Sequence, residues 1–107
     1  AGGRTIFPTV LQIVSGMLDG GLSLEDAFHA PRMDASTGTI RIDARAGDAV
    51  GAAVASRFPV EVVPDAVYPV LFAIPSAVQR LPGGNLGMAH PGSPWAAVAV
   101  GGPADAG

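Results

Sequence analysis

The sequence predicts an α+β fold, and three observations predict it. Apolar side chains recur at helical spacing between Phe7 and Leu18. Short runs containing β-branched residues follow at 39–43 and 60–63. Near the end, Pro82-Gly83-Gly84-Asn85 separates two strand-like runs, the composition of a hairpin turn.

Phe7, Val10, Leu11, Val14, Met17 and Leu18 obey the i, i+3, i+4, i+7 rule, and Ile6 and Ile13 widen their face. Only Thr9, Gln12, Gly16 and Asp19 form a polar strip. A helix this apolar is expected to be largely buried. Pro8 suits the first turn, where its missing N–H leaves no bond unmade. Gly20-Gly21 supplies the left-handed residue that stops the helix.

Ser23 is placed to cap a second helix by accepting from the N–H of Asp26, with Glu25 and Asp26 favouring its positive end. Pro31 ends that helix. Residues 39–43 form a strand, 48–57 a modest helix, and 60–63 another strand. Residues 70–74 are an apolar stretch bounded by Pro69 and Pro75. Residues 76–81 and 86–89 pair as an antiparallel hairpin, and 95–100 offers one more strand. The Gly, Pro, Ala and Asp tail 101–107 is expected to be flexible. This order fits α+β, or half of a layered α/β arrangement. No internal repeat is visible.

Composition narrows the possibilities. The 107 residues suffice for one domain, and 49% hydrophobic content is too apolar for a disordered segment. Charged residues make up only 14%, low for a free-standing small domain. Either coding bias toward Ala, Gly, Val and Pro explains this, or part of the surface lies against another chain. The net charge is −3 and all six basic residues are scattered arginines, so the concentrated positive stripe that nucleic-acid binding needs is absent. No apolar run approaches the ~18–20 residues of a membrane-spanning helix. With no cysteine there is no disulfide and no thiolate metal site.

Candidate chemistry is sparse. His29 and His90 lie far apart, and neither has a partner at metal-ligand spacing. Each is expected at the surface or facing a helix dipole. No serine sits in a G-x-S-x-G elbow. Gly83-Gly84-Asn85-Leu86-Gly87 has neither the Lys nor the following helix of a phosphate loop. Arg32, after the helix-ending proline, is expected to bond helix C-terminal carbonyls and organise the turn. No complete active site, metal site or cofactor site emerges.

A set of segments in fixed order nevertheless resembles the γ-glutamyltransferase (γ-glutamyltranspeptidase) family. Gly2-Gly3-Arg4-Thr5-Ile6 is similar to its P-G-G-S/R-x-I stretch, and Thr9-Val10-Leu11-Gln12 follows. Asp19-Gly20-Gly21-Leu22-Ser23-Leu24-Glu25-Asp26-Ala27 and then Ala30-Pro31-Arg32 follow the family's course. Ser76-Ala77-Val78-Gln79 and Gly84-Asn85-Leu86-Gly87-Met88-Ala89 are similar to its later strands. One departure stands out: the family's Asp-Pro-Arg is His90-Pro91-Gly92 here, which removes an ion pair and points to a divergent branch.

The resemblance implies part of a four-layer αββα N-terminal-nucleophile hydrolase fold, helices packed on an antiparallel sheet, incomplete as a fragment. Residues 1–100 would be a C-terminal portion of the small subunit, with Ala1-Gly2-Gly3 a cut inside a loop. It also implies a self-cleaving precursor whose new N-terminal threonine attacks a γ-glutamyl amide and passes the acyl group to water or an amino acid. That threonine is not in this chain, so no catalytic residue is assigned within it. Gly2 and Gly3 match the backbone donors of the oxyanion hole, and glycine suits a backbone that must approach a reacting carbonyl. The implied partners are the large subunit of the same precursor and a small γ-glutamyl substrate. Bacterial members of the family are often periplasmic or secreted. A non-catalytic α+β interaction or scaffold domain derived from the fold is the alternative.

Overall fold

A computed structural model describes residues 3–64, 72–91 and 97–99. A 3-10 turn at Gly3–Thr5 runs straight into α1 (Ile6–Leu18), and α2 (Leu24–His29) follows after a tight reversal. Strands β1 (Met33–Asp34) and β2 (Ile40–Asp43) come next, then a 3-10 turn at Ala44–Ala46 and α3 (Asp48–Ala55). Strand β3 (Val60–Val63) and the hairpin β4 (Ser76–Leu81) and β5 (Gly84–Ala89) complete the order. Residues 97–99 carry no strand, and the rest of the strand expected at 95–100 lies outside the described residues.

The reversal after α1 is built on its two glycines. Gly21 adopts φ +70, and the N–H of Leu22 donates to Gly16 O at 2.9 Å. A Cβ on Gly20 would come within 2.8 Å of that same carbonyl, so no larger residue fits without moving backbone. Ser23 caps α2 as expected, its hydroxyl accepting from Asp26 N at 3.1 Å.

The described residues form two sheets. In the first, β1 pairs antiparallel with β2, and β2 pairs in parallel with β3 through the α3 crossover, Ile40 opposite Val60 and Asp43 opposite Val63. The second is the hairpin, Ser76 opposite Ala89 and Leu81 opposite Gly84. That register leaves only Pro82 and Gly83 in the loop, tighter than the four-residue turn expected from sequence. Helices α1 and α2 pack on this antiparallel pair: Ile13, Leu24, Ala27 and Phe28 form the buried cluster, with Met17, Ala77 and Met88 against it.

Helix α1 corrects the expectation that it would be largely buried. Only Thr9 and Ile13 are buried on it, while Phe7, Leu11 and Leu18 are 75%, 56% and 79% exposed. Of the polar strip, Asp19 is exposed, whereas Thr9 and Gln12 bond to backbone elsewhere in the chain. Thr9 Oγ1 donates to Phe72 O at 2.7 Å, and Gln12 takes Met33 N–H at 2.9 Å while donating to Met33 O at 2.6 Å. Backbone groups of the chain itself thus capture the polar side of α1, and its apolar side is turned away from the chain's own body.

Phe28 is the large side chain at the centre of the small core, 2% exposed. Truncation to Ala should cost about 3–5 kcal/mol. Thermal or urea unfolding followed by circular dichroism will read this as a loss of the cooperative transition, because a core this limited has little stability to spare.

Candidate functional site

Two places concentrate chemistry. The first is the amino end of α1. Gly2 lies outside the described residues; Gly3 has φ +59, the left-handed region that glycine enters without strain. Among the described residues, nothing lies within 4 Å of where a Cβ on Gly3 would stand. The turn Gly3–Thr5 continues into α1 with no acidic residue in either first turn, and the hydroxyl of Thr5 does not cap the helix. The positive pole of a thirteen-residue helix therefore coincides with the glycine backbone.

Beside this end lies a cavity of about 190 Å³ lined by Ile6, Thr9, Val10, Ala73, Ile74, Pro75 and Ser76. The Thr9–Phe72 hydrogen bond fixes its wall. Directly after Phe72, Ala73 is buried with φ +69, the left-handed conformation in a residue that pays a steric penalty for it. The backbone here is held in place by its surroundings rather than by its own preference.

The second place is a polar cluster at the carboxyl end of α2. Arg32 is buried and its Nη2 donates to Phe28 O at 3.0 Å, which is the helix-end role expected of it. Asp43, at the end of β2, accepts from Arg45 Nη2 at 2.7 Å, from Arg45 Nε at 3.1 Å and from the Arg45 backbone N–H at 2.9 Å. Arg45 Nη1 donates onward to His29 O at 2.8 Å. The N–H of Asp43 donates to Arg32 O, so the cluster ties β2 to the end of α2. Sequence reasoning missed the Asp43–Arg45 pair; the signal was an acid closing an apolar strand with an arginine two residues on.

His29 is exposed, its Nδ1 paired with Glu25 O at 2.9 Å. His90 is not at the surface as expected but 7% exposed, lining one small cavity with Phe28, Arg32, Asp43, Arg45 and Phe72. At the position where the family pattern carries an acid, this chain has an imidazole, and the carboxylate beside the two arginines comes from Asp43. Among the described residues no group of His, Cys, Asp and Glu could hold a metal ion, and no helix is long and apolar enough to cross a membrane.

The fold is shared with solved γ-glutamyltranspeptidases. An acivicin-inhibited γ-glutamyltranspeptidase matches 89% of this chain with a TM-score of 0.70 at 22% identity. The Pseudomonas nitroreducens enzyme complexed with L-DON matches 94% with a TM-score of 0.71 at 21% identity, and a highly active mutant of it matches 95% with a TM-score of 0.71 at 22% identity. This chain covers 52–53% of theirs, so it spans about half their length. No family model matches the sequence, and no curated protein matches it. The α+β architecture is thus part of the γ-glutamyltranspeptidase fold.

The two partners of the Asp43–Arg45 pair are unequally exposed, with side chains 1% and 47% accessible. Arg45→Met leaves a buried carboxylate without its cation and should cost about 3 kcal/mol. Asp43→Asn leaves a half-exposed guanidinium that water can reach and should cost nearer 1 kcal/mol. Denaturant midpoints of the two variants will show this order.

Proposed function

We propose that the chain is a portion of a γ-glutamyltransferase-like enzyme that moves a γ-glutamyl group from an amide to water or an amino acid. The observation that carries the reading is the fold match over 89–95% of the chain to solved γ-glutamyltranspeptidases. The amino end of α1 supports it from the chemistry side. In the proposed reaction, the hydroxyl of an N-terminal threonine beyond these residues adds to the γ-carbonyl. The carbonyl oxygen then carries a negative charge that must be held while the amine leaves.

In this reading Gly2 and Gly3 provide the holding donors. The left-handed φ of Gly3 turns its peptide groups relative to the helix that follows. The helix pole behind it carries no acid in its first turn, so its field favours a developing anion there. A donor fixed in place before the reaction needs no reorganisation as charge develops, which is the source of the rate gain. The Phe72–Pro75 wall and the Thr9 hydrogen bond steady this end of α1. A large subunit from the same precursor completes the site, and these residues alone are inactive.

The test uses the complete coding region containing this chain. Release of p-nitroaniline from γ-glutamyl-p-nitroanilide is expected, with self-cleavage into two chains on a gel. Gly3→Ala should then lower kcat by about 10²-fold with KM little changed. The variant places an L side chain at φ +59, so it reads the backbone conformation of the proposed donor. Cleavage without release would point to another acyl donor. Absence of both would remove the enzyme reading and leave a scaffold.

A further inference from the structure

We infer that Thr9 is a positioning residue of the proposed reaction: its hydroxyl, anchored on the Phe72 carbonyl, sets where the amino end of α1 carries the Gly3 backbone. The inference rests on the reading that Gly2 and Gly3 supply the oxyanion donors, and it names the contact that holds those donors in place.

A buried threonine in a helix ordinarily sends its hydroxyl to a carbonyl one turn back on the same helix. Thr9 is 2% exposed, and its Oγ1 donates instead at 2.7 Å to Phe72 O, on a segment 63 positions away. Close packing does not set the spacing there. The cavity of about 190 Å³ has Ile6 and Val10 on its helical wall and Ala73, Ile74 and Pro75 on the other. Where van der Waals contact is missing among the described residues, the directional bond decides the separation. Thr9 stands six positions beyond Gly3, and the backbone between them is helical throughout. A shift of α1 along its axis therefore reaches Gly3 undiminished. Donors arranged before the reaction tolerate little such movement, since a misplacement of about 1 Å can cost about 10²-fold in rate.

The acceptor is itself fixed. Phe72 and Ala73 are both buried. The φ of +69 at Ala73 sets the tilt of the peptide plane carrying Phe72 O relative to β4, which begins at Ser76. An L-residue stays in that conformation only where its surroundings impose it, and such strain collects at functional sites. The Phe72 carbonyl is thus a fixed point joined to the hairpin, and Thr9 ties the glycine end of α1 to it.

The product of the complete coding region is assayed with γ-glutamyl-p-nitroanilide, with kcat expressed per self-cleaved chain on the gel. Thr9→Val keeps the branched shape and removes the donor, so kcat is expected to fall about tenfold with KM changed by less than about twofold. Thr9→Ser keeps the donor and is expected to restore most of the rate. The same change made in the Gly3→Ala background separates positioning from stability. If Thr9 acts through the Gly3 donors, Thr9→Val then lowers kcat by less than about twofold, whereas a loss of folded enzyme multiplies through both backgrounds. Should Thr9→Val give no cleaved product, Thr9→Cys, whose thiol is a weaker donor of similar size, is carried through the same cycle with a smaller loss expected. A full loss with Thr9→Ser, a change mainly in KM, or the same fold-loss in both Gly3 backgrounds would overturn the inference and leave the transferase reading intact. No release from the unsubstituted product would overturn that reading and this inference with it.

Discussion

Helix α1 is fixed by hydrogen bonds from its polar side chains to backbone atoms far along the chain, and the remaining architecture is arranged around that attachment. Thr9 reaches Phe72, 63 residues away, and Gln12 closes both backbone groups of Met33 as a neighbouring strand would. A buried hydroxyl or amide needs such partners, since leaving one unmade costs about 1–3 kcal/mol. The orientation of α1 about its own axis is therefore set by polar satisfaction, and hydrophobic burial takes what that orientation leaves. Ile13 and Met17 meet α2 and the hairpin, and the broader apolar side faces out.

The second organising feature is the polar cluster between α2 and the three-stranded sheet. Arg32 closes the last turn of α2, Asp43 ends β2, and Arg45 bridges back to the carbonyl of His29. Arg32, Asp43 and His90 are buried together, and this is the point at which helical layer and sheet are registered. The surface pair Arg41–Glu61, at 3.3 Å and largely solvated, is of a different kind and contributes little.

Much of the secondary structure was legible in the sequence because it is locally encoded. Periodicity placed α1, Ser23 with Asp26 placed the start of α2, and the proline and glycines at 82–84 placed the hairpin. Strand β1 escaped notice, since two residues are too few to show alternation. The parallel pairing of β2 with β3 was likewise invisible, because register between distant segments leaves no mark on either alone. The error over α1 has the same root. Apolar periodicity shows that a face must be covered but not by what, and Thr9 stood only as part of a polar strip because its partner is 63 positions on. At the candidate site, the role of Arg32 followed from its place after Pro31. The burial of His90 did not follow from anything near it in sequence.

Ala73 holds a left-handed backbone conformation while fully enclosed, and this bears on how the sequence can drift over evolutionary time. Branched side chains are effectively barred from the position, since the conformation crowds Cβ against the following carbonyl. Its enclosure bars long ones. The repertoire therefore contracts to alanine, glycine and the few small residues that tolerate this geometry. A site so restricted should diverge slowly even where its neighbours vary freely, and for a reason of backbone shape alone.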